Sequence, residues 1–160
     1  MTMSNTSNMD DKTVDKLQDL LSINIDSQRG FEEAAEHTND AELKSLFRDF
    51  SQRRSHNAAE LRQAISSAGK EPTNSGSVSA TLHRWWIDAK QTVTGKDAAS
   101  ILSEAERGED SIKDEYEAAL NEVNDLGMRE VVERQYRNVK EGHDRVKALR
   151  DSYSRRNPRG

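Results

Sequence analysis

Glu106 and Glu109 stand one helical turn apart in the run Glu106-Arg-Gly-Glu109-Asp110, and Glu109 falls between the apolar residues Ala105 and Ile112. A carboxylate on an apolar face has to be paired with a cation, hydrogen-bonded or bound to a metal, because burying it uncompensated is costly. Glu109 and His143 lie at equal distances in sequence from Leu126. A helical hairpin turning near Leu126 would therefore set an inward carboxylate opposite an inward imidazole. At the same level other helical stretches bring Asn24, Asp26 and Gln28, then Arg54, His56, Asn57 and Glu60, and Gln135. Two chemistries fit this set. In one, the layer is a salt-bridge and hydrogen-bond network that fixes helix register, with Arg54, Arg107 or protonated His143 neutralising Glu109. In the other, Glu109, Glu106, Glu60 and Asp26 offer oxygen and His143 or His56 offers nitrogen to a metal ion. Such a hard mixed set suits iron or manganese and, less well, zinc.

Other chemistries lack their residues. There is no cysteine, which removes disulfides, thiolate nucleophiles and iron–sulfur ligation. No glycine-rich phosphate loop, Gly-x-Ser-x-Gly elbow or His-Glu-x-x-His sequence occurs. A carboxylate-bridged di-iron site takes a Glu from two helices and a Glu-x-x-His from each of two others. The residues three before the histidines are Ala34, Arg53, Ala80 and Lys140, none of them acidic. His56 and Glu60, four apart, offer at most a fragment of such a site.

The elements that must position these groups are helical. Apolar residues recur at steps of three, four and seven in four long segments, and the second pair of segments repeats the first at a shift of 85 residues. Leu17 is matched by Leu102, Phe31 by Tyr116, Ala34 by Ala119, Leu43 by Met128 and Leu61 by Val146. The unit repeated is a helical hairpin. The spacing predicts helices over about 10–37, 41–68, 97–124 and 128–153, with seams that include Val14, Leu17, Leu21, Gln28 and Phe31 in the first. Asn39 followed by Glu42 reads as a capping box opening the second helix, Gly69 as its left-handed close, and Gly127 as a turn. The polar stretch 70–79 is a loop, followed by a short helix over about 80–92. Short turns make each hairpin antiparallel, while the long middle connection can travel the length of a bundle. The expected fold is all-α: a ferritin-like four-helix bundle made of two antiparallel hairpins joined by a long crossover containing a short helix. One domain over 10–153 is expected between a disordered N-terminus, 1–9, and a disordered basic tail, 154–160.

Hydrophobic residues make up 32% and charged residues 33% of the 160 residues, so the core is a narrow seam with solvated outer faces. No apolar stretch is long enough to cross a bilayer and the first residues do not read as a leader, which points to a cytoplasmic protein without a membrane. A net charge of −5 argues against general nucleic-acid binding. Only the basic end, with Arg145, Lys147, Arg150, Arg155, Arg156 and Arg159, offers weak contact of that kind. His83, Arg84, Trp85 and Trp86 set two adjacent tryptophans in the connector, an interface candidate for a homodimer or another partner.

The runs Asp26-Ser-Gln-Arg-Gly30-Phe-Glu-Glu-Ala-Ala35, Glu60-Leu61, Leu82-His83-Arg84-Trp85-Trp86, Glu106-Arg-Gly-Glu109-Asp110, Tyr116-Glu-Ala-Ala-Leu120, and Gln135 with His143-Asp-Arg-Val146 resemble an uncharacterised bacterial four-helix-bundle family of the ferritin-like superfamily. Relatives of that family include stress-response proteins. The resemblance implies the ferritin-like fold, a homodimer and a central metal site, without an established activity. Ferritins and rubrerythrins carry Glu-x-x-His motifs that this chain lacks. The sequence thus supports a non-catalytic, stress-associated bundle whose central polar layer is open to a metal ion. Its alternatives are a metal-dependent oxidase or peroxide-detoxifying enzyme using that layer, and an interaction module acting through Trp85-Trp86.

Overall fold

The computed structural model describes residues 9–74 and 98–156, without the side chains of Ser100 and Arg156. The expected short helix with His83, Arg84, Trp85 and Trp86 lies outside the described residues, as do 1–8 and 157–160. The chain forms an all-α four-helix bundle: α1 (Asp11–His37), α2 (Ala41–Ser67), α3 (Ala98–Glu122) and α4 (Leu126–Arg156), with no strand among the described residues.

The helix starts repeat as the sequence does. Asp40 opens α2 by accepting hydrogen bonds from the Glu42 and Leu43 amides, and Asp125 accepts from Met128 ahead of α4. Asp40 and Asp125 are 85 residues apart. A carboxylate on orphan amides at a helix N-terminus is the usual stabilising cap. The expected cap at Asn39 is corrected by one residue, and Gly127 lies inside the first turn of α4 instead of forming the turn before it. Gly69, at φ +82°, does close α2 in the left-handed region. α4 runs to Arg156, three residues beyond the predicted end, because nothing before Pro158 interrupts it. The Tyr153 hydroxyl donates to Asp40 and Glu42, which ties the last turns of α4 to the start of α2.

Contacts fix the direction of every helix. Within the first hairpin Arg54 reaches Ser27 and Ser51 reaches Gln28; within the second Tyr116 meets Gln135 and Tyr136 meets Glu117. Thr13, near the start of α1, accepts from the amide of Asn124, just past the end of α3. Arg145 binds Asp49, and Arg134 binds Glu60. Neighbouring helices are thus antiparallel around the bundle, and α2 and α3 run the same way. Leu17, Leu21 and Phe31 of α1, Leu43, Phe50 and Leu61 of α2, Ile112 and Ala119 of α3, and Val132, Val139 and Val146 of α4 are buried along the axis. The α1 seam departs from expectation at one place, where Ser27 is buried beside Asn24 and Gln28 is only half-buried. After α2 the chain is held to α1 by Gln18, which donates to the Glu71 carbonyl and accepts from the Thr73 amide, and by the ion pair of Lys70 with Asp11.

Candidate functional site

Halfway along the bundle the apolar seam gives way to two polar layers. In the first, Arg54 of α2 and Glu109 of α3 form an ion pair with 1% and 0% of their side chains exposed. Arg54 Nη2 donates to both Glu109 oxygens, at 2.5 and 2.6 Å, and Nε donates to Ser27 Oγ at 3.2 Å. The guanidinium carbon lies 6.0 Å from the Phe31 ring centroid and 5.9 Å from that of Phe50, within cation–π range. Burial pushes the Glu109 carboxyl above the usual carboxylate range, against which the charge and hydrogen bonds of Arg54 pull it down. α4 passes close over this pair at Gly142, where a Cβ would stand 2.9 Å from Glu109 Oε2.

The second layer is a chain of hydrogen bonds from the core to the surface. Asn24 Nδ2 donates to the Leu20 carbonyl and to the Tyr116 hydroxyl, both at 2.8 Å, and that hydroxyl donates to Gln135 Oε1 at 2.7 Å. Asn57 donates to Asn24, and Gln135 Nε2 donates to Glu60, which receives both Arg134 nitrogens at the rim. Hydrogen bonds from Arg134 hold the Glu60 carboxyl below its usual range. Burial raises the Tyr116 hydroxyl to about 12, so it stays protonated and keeps donating at neutral pH. Tyr116→Phe should therefore cost about 1–3 kcal/mol, because it strands Gln135 Oε1 and one of the two Asn24 Nδ2 hydrogens inside the bundle. Urea denaturation checks this, and an unchanged midpoint would count against the layer as a connected network.

His143 does not face Glu109. Its Nε2 lies 2.8 Å from Asp110 Oδ1 and 3.6 Å from Glu106 Oε2, on the flank between α3 and α4. Single ligand atoms from Glu106, Asp110 and His143 all lie within 4.8 Å of one another. His143 and Glu106 are each 15% exposed and Asp110 is 52% exposed. His143 Nδ1 meets Asp144 at 3.1 Å, and Arg150 Nη1 reaches the other oxygen of Glu106. Two carboxylates and an imidazole at this spacing are chemically able to share a divalent ion.

The six residues expected to form one layer are thus dispersed. Glu109 is committed to Arg54, Glu60 to Arg134 and Gln135, and Glu106 and His143 share the flank. Asp26 is half-buried on α1, and His56 is exposed on the rim of an open groove between α2 and α4. Asp110 joins Glu106 and His143 without having been singled out, although its place beside Glu109 in the acidic run pointed to it. Tyr116 and Gly142 were also missed as parts of the centre: a tyrosine on an apolar seam reads as core, and a glycine carries no signal of polarity.

These features define a class, an all-α four-helix bundle with an arginine-neutralised centre. The chain belongs to the family described as Domain of unknown function (DUF2383), which it matches over residues 12–122, from the first turn of α1 to the last residue of α3. Among curated proteins none matches it. No helix among the described residues is long and apolar enough to cross a membrane.

Proposed function

We propose that this protein is a non-catalytic, ferritin-like bundle that takes a divalent metal ion on the α3–α4 flank, at Glu106, Asp110 and His143. The observation that carries this reading is the convergence of those three side chains within 4.8 Å, while the central carboxylate is occupied by Arg54. The antiparallel contacts of α1 with α3, and the common direction of α2 and α3, support a long crossover between the hairpins as in ferritin-like bundles. The half-buried donor set favours manganese, iron or zinc over calcium because it includes an imidazole. A cytoplasmic place, a role in stress and a dimer contact at His83, Arg84, Trp85 and Trp86 complete the proposal.

The oxidase alternative would need several metal-binding carboxylates in the centre, and the one fully buried carboxylate among the described residues, Glu109, has both oxygens bonded to a guanidinium.

Elemental mass spectrometry of protein loaded separately with manganese, iron and zinc and then desalted tests the flank. About one ion per chain is expected, lost in Glu106→Gln/His143→Ala and kept in the control Glu117→Gln. Metal-free wild type, or equal metal in all three proteins, would dismiss the site.

A further inference from the structure

The two hairpins correspond residue by residue through the 85-residue shift, and their buried polar groups fall at related positions. Asn24 answers to Glu109, Phe31 to Tyr116, Phe50 to Gln135, Arg54 to Val139 and Asn57 to Gly142. Their contacts answer to each other as well. Phe31 meets Phe50, ring centroids 5.2 Å apart, where in the second hairpin Tyr116 donates to Gln135. Asn57 bonds Asn24 at 3.4 Å where Gly142 closes on Glu109.

One position on α1 and one on α3 therefore face residue pairs three apart, 54/57 on α2 and 139/142 on α4. Ferritin-like dimetal bundles hold their ions in this layout, with a Glu from each of two helices and a Glu-x-x-His from each of the others. The residues present do not fit that group. Glu109 is the one carboxylate among them, Asn24 and Asn57 offer neutral amides, Val139 and Gly142 offer nothing, and Arg54 brings a positive charge.

We propose that the Arg54 guanidinium is the resident cation of this site, standing in for metal and closing the centre to it. Its Nη2 bonds both oxygens of the one remaining ligand-type carboxylate. Its Nη1 is buried with no hydrogen-bond partner among the described residues, so the centre leaves part of the guanidinium's donor set unsatisfied. Gly142 supplies the room: a side chain there would press on the Glu109 carboxylate, which the arginine already pins. The metal layout rests on the ferritin-like reading; the cation site itself does not.

The experiment removes the resident cation and offers others, in a Glu106→Gln/His143→Ala background so that the flank takes no part. Millimolar ethylguanidinium should raise the melting temperature of the Arg54→Ala protein by several degrees more than that of its Arg54-containing parent. The gain should vanish when Glu109→Gln is added. Equal shifts with and without Glu109, or no shift, would overturn the proposal. Should Arg54→Ala not fold alone, its recovery on refolding with ethylguanidinium is the same readout, and failure to recover counts against the site. A second variant, Arg54→Glu/Asn57→His, writes a Glu-x-x-His pair into α2 and should retain about one manganese or zinc ion per chain. A metal-free second variant beside a positive ethylguanidinium result would keep the cation site and remove the ferritin-like layout.

Discussion

Replacing Arg54 by alanine should destabilise the protein by about 3–5 kcal/mol, the usual consequence of leaving one partner of a buried ion pair without compensation. For a chain of this size each kcal/mol is worth roughly 2–4 °C of melting temperature. The cause is specific: Glu109 is wholly buried, and Ser27 bonds the arginine rather than the carboxylate. The pair itself is not a large net source of stability, since both charges give up their hydration to meet. Arg54→Met/Glu109→Leu should therefore recover most of the loss. A double-mutant cycle measured by chemical denaturation separates the two statements. A single Arg54→Ala change costing under about 1 kcal/mol would show that Glu109 finds another partner.

Gly142→Ala should also destabilise the protein, by about 1–3 kcal/mol, although it trades the poorest ordinary helix former for the best. Propensity alone would give a gain of about 1 kcal/mol. Against it, the new methyl would stand 2.9 Å from Glu109 Oε2 and 3.3 Å from Phe50 Cζ. A free glutamate would swing aside, but Glu109 is fixed by two hydrogen bonds to Arg54. Gly127 is the control, because an alanine there meets only the Asp125 side chain at 3.4 Å. Thermal melts should show Gly142→Ala below wild type and Gly127→Ala at or above it. A gain in both would mean that α4 can move away from the centre without loss.

Much of the architecture was legible in the sequence because helices write their buried face at a fixed spacing, and a duplicated hairpin writes it twice. Glu109 was placed inward correctly for that reason: between the buried Ala105 and Ile112 the steps of three and four admit Gly108 or Glu109, and both are buried. His143 was not, and the cause lies in the same arithmetic. Between the buried residues Val139 and Val146, the steps of three and four admit either Gly142 or His143 at the seam. Hydropathy gives glycine no vote, so the histidine was read inward. The structure turns the glycine in, where only an absent side chain allows α4 to approach Glu109, and the imidazole falls on the flank with Asp110. The misplaced cap at Asn39 has a similar origin, since Asn39 and Asp40 are both good capping residues and adjacent.

The unequal sharing of charge between the hairpins also decides which halves can be neighbours. Two copies of the first hairpin docked on each other would bring Arg54 against Asn24, which stands at the position of Glu109, and bury two cations without an anion. Two copies of the second would bury two Glu109 carboxylates beside Val139. Each such self-pairing carries the penalty of an unpaired buried charge, and only the pairing of unlike halves escapes it. The ion pair thus works as a recognition code between the two products of a duplication, keeping halves with similar apolar seams from exchanging places.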